Sequence, residues 1–501
     1  MMRYRVQRPR TLQNLSVIAI GNWIAFQAKK FMAIVSEQQD PTKAETLLSQ
    51  QIASIQNYLE CNMPGIFHDM LAVEAMHALK TLNAETNILS RMGKKSSSKY
   101  VVGRMVETLY TKNLTKLELV FNDEEMFSTT LCKKSYLLSG LIHLNLCLDC
   151  RVDETDIVDL LKELHNLTRL SLLDCEFLST IKCKDNILRC IADNCKLIEV
   201  LNLTDSNVND SSINIIVQLR NLRSITLGES EVSEKGIAKL LLSCENMEFI
   251  HVTDTNAIAL ALEDIENSEE NCKKRFKLQF YENFYGTSEP EMRRIVQMCP
   301  LIQRMSLINC EDNELYLPVI NPLHDLRELF LNGYKFYTNK VKEVLEVRGF
   351  NLEHLHLDLA GEINLSTFMY IGQLCPNLQK LCVEQCGLVT EPLEYVFQCK
   401  IKVSESDIQP FRNLKNLSLT SSQSDSKSST EHILYILSNC LNVETIFIGD
   451  TILLTDDIML QVLERNPLIH LKEMWLQNST ISEPIIEQII ENANSGFILV
   501  L

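Results

Sequence analysis

Apolar residues recur through most of this chain with one fixed spacing. A first leucine or similar residue is followed by a second three positions later and by a third two positions after that, as at Leu352, Leu355 and Leu357. About fourteen copies of this spacing follow one another between Leu114 and Leu476, and most start roughly 24 to 29 residues after the previous copy. The chain is therefore predicted to be a repeat protein.

Each copy predicts a short strand followed by a helix. Alternation around the last two apolar positions puts their side chains on one face of a strand, and the segment that follows has helical periodicity, as in the stripe Ile157, Leu160, Leu161 and Leu164. Units this short cannot bury their apolar faces alone, so stacking them makes one continuous core. The period is that of leucine-rich repeats. We expect residues 101–501 to form an α/β leucine-rich-repeat solenoid of about 14 units, with parallel strands on the concave face and helices on the convex face.

Some parts of the repeat region depart from the pattern. One copy, around Leu278 and Phe280, is poor. Longer gaps between positions 167 and 198 and between 378 and 414 predict loop insertions, including the segment 400–410. The polar stretch 421–430 predicts a surface loop. The apolar end of the sequence, 496–501, is compatible with a last partial strand.

Residues 1–100 lack the repeat and are predicted to be helical. The pattern indicates helices over about 11–32 and about 42–58 and a third that opens at Pro64, a residue suited to a first helical turn. The polar stretch 93–100 is predicted to separate this segment from the repeats. The segment is either a cap for the first exposed strand, which every solenoid needs, or an adaptor-binding element.

Two short motifs favour the adaptor interpretation. The first consists of Thr11, Leu12, Ser16 and Ile20, which have the order and spacing small residue, leucine, small residue, aliphatic. This pattern resembles the BC box, with which substrate receptors bind elongin C. Leu12, Ser16 and Ile20 recur every four residues and would share a helix face, where Leu12 could enter a partner's pocket and Ser16 would permit close approach.

The second motif lies about forty residues further on. Met63, Pro64, Phe67 and Leu71 resemble the downstream cullin box, and Met63, Phe67 and Leu71 are expected to share a face of the third helix. Both motifs before leucine-rich repeats resemble the Zyg-eleven and Zer-one type of cullin-RING receptor, in which a VHL-type box precedes the repeats. The resemblance implies a substrate-recognition subunit of a ubiquitin ligase, with elongin C and a cullin as partners and these motif residues as the adaptor-binding site.

Two alternatives stay open. The repeats that begin with Cys-Pro, at 299–307 and 375–381, resemble those of F-box leucine-rich proteins. Residues 63–71 also resemble a degenerate start of an F-box, and this resemblance implies a Skp-type adaptor. The residues after Leu71 lack the later tryptophan and Asp-Leu features of that motif. The other alternative is a leucine-rich interaction scaffold without a ubiquitin role, whose first hundred residues only cap the array.

The residue between the last two apolar positions of each copy should point into the concave face, because side chains alternate along a strand. In chain order these residues are Glu118, Asn145, Ser171, Asn202, Thr226, His251, Gln279, Ser306, Phe330, His356, Cys382, Ser418, Phe447 and Trp475. Large aromatic residues occur in the second half of this series. We expect Phe330, His356, Phe447 and Trp475 to bind a protein substrate, because aromatic anchors dominate protein interfaces. The alternative is that the insertions cover these rings and make them core.

Charge and composition narrow the possible functions. A formal net charge of -17 argues against a general nucleic-acid binder, which would carry a basic face. No secretory signal is visible, and the apolar stretch after the basic first ten residues is too short to span a bilayer. We therefore expect no nucleic-acid or membrane partner and a location in the cytoplasm, with the nucleus as the alternative.

The seventeen cysteines are predicted to be mostly small buried side chains. Five stand three residues before a strand's first apolar anchor, namely Cys195, Cys244, Cys299, Cys375 and Cys440; three more, Cys175, Cys310 and Cys386, follow a strand. Neither Cys147 with Cys150 nor Cys382 with Cys386 has a second pair at zinc-finger spacing, so no metal or other cofactor is expected. His354 and His356 share a strand face without a predicted third ligand, and catalytic motifs are absent, so we do not expect an enzyme.

Overall fold

The computed structural model describes most of the chain. The described residues are 3–5, 12–37, 40–90, 97–121, 131–148, 154–173, 181–206, 208–268, 273–309, 317–336, 340–388, 409–421, 430–449, 454–477, 481–493 and 497–500. They divide into two compact units, one formed by Arg10–Ala257 and the other by Ile258–Leu501 together with Met1–Pro9.

The first unit opens with helices. They are α1 (Leu12–Glu37), α2 (Pro41–Asn62), α3 (His68–Ser90) and α4 (Ser97–Val106), and a 3-10 turn, Gly65–Phe67, precedes α3. The start of α2 follows from local chemistry, since the Asp40 carboxylate accepts a hydrogen bond from the Thr42 backbone N–H and Pro41 supplies a preset first turn. Helix α1 buries Ile24 and Ala28 completely. Apolar burial thus holds the helices in one bundle.

A glycine sets how closely α1 and α3 approach. A Cβ on Gly21 would lie 3.0 Å from the backbone nitrogen of Ala75, so only glycine fits at this crossing without a shift of the helices. Gly21 was not identified from the sequence, because a lone glycine inside a helical pattern does not reveal what it packs against.

The three predicted N-terminal helices are present, with two corrections. The third helix begins at His68 and not at Pro64, because residues 65–67 form a 3-10 turn. Residues 97–100 of the predicted polar separator belong to α4, which buries Val101, Val102 and Met105. The apolar stripe that follows the serines draws this part of the stretch into a packed helix, while residues 91–96 lie outside the described residues.

The first unit then forms a six-stranded parallel sheet in chain order. Its strands are β2 (Lys116–Phe121), β3 (His143–Leu148), β4 (Arg169–Leu173), β5 (Val200–Asn202), β6 (Ser224–Leu227) and β7 (Phe249–Val252). The connections contain a 3-10 segment, Cys132–Leu138, and the helices α5 (Glu154–Lys162), α6 (Ile181–Asn194), α7 (Asp210–Ile216) and α8 (Glu234–Ser243). The longer gap between positions 167 and 198 therefore contains a 14-residue helix in addition to undescribed residues.

The second unit continues the same pattern in another sheet. Its strands are β1 (Arg3–Arg5), β8 (Phe280–Asn283), β9 (Arg304–Ile308), β10 (Glu328–Asn332), β11 (His354–Asp358), β12 (Glu362–Ile363), β13 (Lys380–Leu388), β14 (Asn416–Ser421), β15 (Thr445–Ile448), β16 (Glu473–Leu476) and β17 (Ile498–Val500). Its helices are α9 (Asn256–Glu266), α10 (Glu289–Met298), α11 (Val341–Arg348), α12 (Leu365–Leu374), α13 (Thr430–Asn439), α14 (Asp456–Arg465) and α15 (Glu483–Asn492). β17 pairs parallel with β16, and β1 pairs antiparallel with β17. The partial strand expected near the end of the sequence is thus present.

The repeat register is the one that the apolar spacing predicts. Leu329, Leu355 and Leu381 are aligned on neighbouring parallel strands and are almost completely buried, while Phe330 and His356, between the anchors of the first two strands, stay partly accessible. Backbone hydrogen bonds repeat with the strands, since one carbonyl, such as that of Arg327, accepts from two successive N–H groups of the next repeat, those of Glu353 and His354. The α/β leucine-rich-repeat architecture is confirmed.

One predicted register is wrong. In the poor copy the anchors are Leu278, Tyr281 and Asn283, so Glu282 and not Gln279 is aligned with Ser306 of the next strand. Asn283 is fully buried because its side chain is satisfied locally, accepting from the Tyr285 N–H and donating to the Gly286 carbonyl. A polar anchor of this kind cannot be recognised from hydrophobic spacing.

The cysteine prediction is confirmed where the structure describes it. Cys195, Cys244, Cys299, Cys375 and Cys440 are buried at the ends of repeat helices, and Cys386 is buried within β13, three residues after the last apolar anchor. Cys147, Cys150, Cys175 and Cys310 lie outside the residues whose side chains are described. Among the described helices, none is both long enough and apolar enough to cross a membrane.

Candidate functional site

The candidate binding surface lies on the strand face that does not carry the buried leucine anchors, here called the open face of the second sheet. The pairing of β9 to β16 places one side chain from each strand side by side. This central row consists of Ser306, Phe330, His356, Cys382, Ser418, Phe447 and Trp475. All are half-buried except Cys382, which is buried.

The structure brings the four predicted substrate-binding residues together as two pairs. Phe330 and His356 are neighbours on β10 and β11, with ring centroids 5.7 Å apart in an edge-to-face arrangement. Phe447 and Trp475 are neighbours on β15 and β16. The predicted insertions that could cover these rings, 400–410 and 421–430, lie mostly outside the described residues, which omit 389–408 and 422–429. The assignment of the four residues to substrate binding stays a prediction.

An arginine joins the first aromatic pair. The Arg304 guanidinium carbon lies 4.7 Å from the ring centroid of Phe330 and 5.2 Å from that of Phe280, so the cation is stacked between two aromatic rings. Its side chain is still about half exposed, and its Nε lies 3.5 Å from the Glu328 carboxylate. Arg304 was not predicted from the sequence, because it lies two positions before the row residue of its strand, Ser306.

Two carboxylates border the middle of the central row. Asp358 and Glu384 are aligned on β11 and β13, two positions beyond His356 and Cys382. Asn332 Nδ2 donates to Asp358 Oδ2 over 2.7 Å, and Ser418 Oγ donates to Glu384 Oε1 over 2.9 Å. These hydrogen bonds hold both carboxylates in place beside the row.

The surroundings of Asp358 disfavour the ionised form of its carboxyl group. Burial raises the pKa of the Asp358 carboxyl, and the charges of His356 and Glu384 act on that pKa in opposite directions. Asp358 Oδ1 is inaccessible and has no hydrogen-bond partner among the described residues. A ligand cation placed here would stabilise the ionised form.

The two strand histidines have acidic neighbours that the sequence did not indicate. His354 Nδ1 lies 3.4 Å from Glu328 Oε1, and His356 Nε2 lies 3.4 Å from Glu384 Oε2. The sequence specifies no carboxylate partner for either histidine, because the carboxylates come from the adjacent strands. In the described part of the chain, no group of three metal-ligating side chains could hold a metal ion.

The first adaptor motif lies on the first two turns of α1. Leu12 is the first residue of the helix, and its side chain is outside the described set. Ser16 is exposed and Ile20 is half-buried. Leu15 and Phe26, which the motif does not include, are 47% and 63% exposed on the same helix, so α1 presents more apolar surface than the motif predicts.

The second motif is arranged differently from the prediction. Met63 is the C-cap of α2, and the exposed Pro64 precedes the 3-10 turn. Phe67 is half-buried at the end of that turn, and Leu71 is buried in the bundle. Met63, Phe67 and Leu71 therefore do not share one helix face. The 3-10 turn interrupts the spacing of four on which the expectation rested.

The bundle offers a groove between α1 and α3 of about 830 Å³. It is lined by Asn14, Val17, Ile18, Asn22, Met70, Val73, Glu74, His77 and Ala78. Met70 and Val73 are 40% and 56% exposed at its edge, and Ile66 beside it in sequence is 80% exposed. Sequence reasoning missed these apolar positions, because only the fold decides which face of α3 the bundle leaves accessible.

The comparisons with known proteins concern the fold. No protein-family model matches this chain, and no curated protein sequence matches it significantly. The chain is similar in structure to an internalin from Listeria monocytogenes, with 14% identity, a TM-score of 0.33 and 76% of this chain and 86% of that chain covered.

Two further solved structures show the same degree of likeness. A structure of the Rad7 and Elc1 complex in yeast has 16% identity and a TM-score of 0.37, with 72% of this chain and 90% of that chain covered. The TLR13-ssRNA13 complex has 14% identity and a TM-score of 0.32, with 79% of this chain and 55% of that chain covered. At these scores the likenesses assign no partner or activity to the chain.

Proposed function

We propose that this chain is a non-catalytic, protein-binding leucine-rich-repeat protein that serves as the substrate-recognition subunit of a cullin-RING ubiquitin ligase. The observation that carries protein binding is the central row, in which Phe330, Phe447 and Trp475 remain half-buried on a sheet face whose other side is packed into the core. Partly accessible aromatic rings aligned across several strands are typical anchors of protein interfaces.

The adaptor end of the proposal is α1. Leu12, Ser16 and Ile20 recur every four residues on this single helix, and Ser16 is exposed, as close approach of a partner requires. The neighbouring Leu15 adds exposed apolar area. We propose elongin C as the adaptor and a cullin as its scaffold, with Met63, Pro64 and Phe67 at the cullin end of the bundle. Leu71 would act indirectly, by holding α3 in place.

In this proposal, the chain acts by proximity. Binding of a protein on the open face and of an adaptor on α1 tethers the substrate to a ubiquitin-conjugating enzyme and raises its effective concentration there. This proximity mechanism needs no reactive side chain of the chain. Burial raises the pKa of the Cys299 and Cys375 thiols, so neither is an activated nucleophile.

The test is a pulldown of the tagged chain from cell extract, scored for elongin C, cullins and Skp-type adaptor. The variant combines Leu12→Asp with Ser16→Arg, which puts charge and bulk on the proposed contact face. The matched control is Gln13→Asp, an exposed position of the same helix outside the motif. Far-UV circular dichroism of each purified protein checks that the helices are intact.

The outcomes separate the alternatives. Elongin C captured by the wild type and the control but lost by the double variant supports the receptor proposal. Capture of a Skp-type adaptor instead selects the F-box interpretation. Capture of neither adaptor refutes the ubiquitin-ligase role and leaves a protein-binding scaffold whose N-terminal helices cover the first strand.

A further inference from the structure

The open face has aromatic side chains at both ends of the central row and negative charge beside its middle. Phe330 stands next to Ser306 near one end, and Phe447 with Trp475 stands at the other. Neighbouring strands lie about 4.8 Å apart, so the four strand intervals from Phe330 to Phe447 span about 19 Å. Asp358 and Glu384 flank the row between these ends. The positions of these aromatic and acidic side chains determine where a ligand needs apolar groups and where it needs positive charge.

The carboxylate pair lacks a strong cation among its described neighbours. The His356 imidazole lies 3.4 Å from Glu384, whereas the Arg304 guanidinium is engaged between two aromatic rings at the row's end. The hydrogen bonds from Asn332 and Ser418 come from neutral groups. Two nearby carboxylates held by neutral donors favour an additional positive charge.

We propose that the open face binds an extended basic peptide segment that places a lysine or arginine against Asp358 and Glu384 and apolar side chains against Phe330 at one end and Phe447 and Trp475 at the other. This names the substrate class of the proposed function and rests on substrate binding at the same face. Arginine suits the site because its planar guanidinium can serve two carboxylates at once.

The dimensions of the row favour an extended segment. The apolar row is one side chain wide, because the positions two residues away along each strand, about 6.8 Å off, are mostly polar. They include Glu328, His354 and Lys380 on one side and Asn332, Asp358 and Glu384 on the other. An extended chain advances about 3.4 Å per residue, so roughly six residues separate the side chains that would reach Phe330 and Phe447.

The charge at the row's middle also argues against an anionic partner. Aromatic rows bind single-stranded nucleic acids when positive side chains neutralise the phosphates. Here the residues beside the row include Glu328, Asp358 and Glu384, and the whole chain carries a formal charge of -17. Cations are favoured at both parts of the site, because aromatic faces attract them as well.

The experiment is a direct binding measurement with the purified full chain and no adaptor. A fluorescein-labelled peptide has glycine and serine at most positions, phenylalanine at two positions six residues apart, and arginine two positions after the first phenylalanine, so that all three side chains lie on one face of the extended chain. A matched peptide carries citrulline, the neutral counterpart, in place of arginine. Fluorescence anisotropy gives the affinity of the chain for each peptide.

Two variants locate the effect. Asp358→Asn with Glu384→Gln removes both charges while keeping the shapes, and Glu343→Gln with Glu346→Gln removes two charges from the exposed face of α11 as the control. We expect the wild type and the control to bind the arginine peptide at least tenfold tighter than the citrulline peptide, and the Asp358/Glu384 variant to lose this preference. Phe330→Ala should weaken binding of both peptides by a similar factor.

Several results would overturn the inference. They are equal affinity of the wild type for both peptides, a preserved arginine preference in the Asp358/Glu384 variant, or no saturable binding up to about 1 mM chain. The measurement needs no adaptor, so its failure is separable from that of the proposed function. Loss of elongin C capture with intact arginine preference would leave a basic-peptide scaffold, whereas the reverse would leave a receptor with a different substrate class.

Discussion

The side chain of Asp69 supplies Thr115 with the hydrogen-bond acceptor that a backbone carbonyl of the preceding repeat supplies in later repeats. Its Oδ1 accepts hydrogen bonds from the backbone N–H groups of Thr115 and Lys116, at 2.9 and 3.0 Å, and its Oδ2 accepts from the Thr115 hydroxyl. In the next repeat the equivalent N–H groups, those of Ile142 and His143, donate to one backbone carbonyl, that of Thr115. A carboxylate in the first turn of α3 thus continues the repeating hydrogen-bond pattern beyond the first strand.

Loss of this carboxylate should loosen the first strand. Asp69→Ala leaves two backbone donors without their partner, and we expect a loss of about 1 to 2 kcal/mol at this edge, because hydrogen bonds to charged acceptors contribute that much when partly exposed. The measurement is hydrogen exchange, with the Thr115 and Lys116 amides exchanging roughly tenfold faster. Asp69→Asn keeps an acceptor and should show a smaller change. Unaltered exchange in Asp69→Ala would show that the bundle holds this edge without the carboxylate.

The aromatic residues of the central row should control protein capture. Replacing Phe330, Phe447 and Trp475 together by alanine is expected to abolish recovery of substrate from cell extract, since each buried anchor contributes about 2 kcal/mol or more at an interface. All three side chains are only half-buried, so the circular dichroism spectrum should be preserved. The control replaces Tyr136 and Phe350, which are 61% and 65% exposed outside the row. Unchanged recovery with the triple variant would remove the row from the binding site.

Asp358 should make the folded state less stable as pH rises. Burial raises its pKa in the folded chain above the usual value, so between these two values the folded state binds more protons and its stability falls with increasing pH. Asp358→Asn removes this penalty. We expect the variant to melt at a higher temperature than the wild type at about pH 7, and the difference to shrink as pH falls below the ordinary aspartate pKa of about 3.9. A variant less stable than the wild type at neutral pH would contradict this sign.

The buried cysteines should be unreactive in the folded chain. Burial raises the pKa of Cys299, Cys375 and Cys440 to about 12, so at about pH 8 they remain neutral thiols inside the core. Brief alkylation followed by peptide mass mapping should label the exposed Cys61 and leave these three unlabelled until denaturant is added. Labelling of all four at the same rate in the folded chain would mean that the helix ends open readily.

The repeat architecture and the members of the central row, except at the poor copy, were predictable from the spacing of apolar residues. The spacing of Leu329, Leu355 and Leu381 predicts where the strands lie, which face of each is buried and how neighbouring strands align. The reason is that all three side chains must be buried in one core, and similar repeats stack with equivalent positions side by side. The adjacency of Phe330 with His356 and of Phe447 with Trp475 follows from the same rule. The buried cysteines were also predictable, since each recurs at a fixed position before an anchor.

The limits of that pattern, and the polar side chains beside the row, follow from the packing of the folded chain. The shift from Gln279 to Glu282 depends on Asn283 finding local hydrogen bonds for a buried amide, which no apolar spacing records. Asp358 and Glu384 are aligned on neighbouring strands because β11 and β13 continue past their last apolar anchors. Asp69 reaches Thr115 because α3 begins at His68. These contacts depend on polar side chains and on the ends of helices and strands, and the spacing of apolar residues carries no information about either.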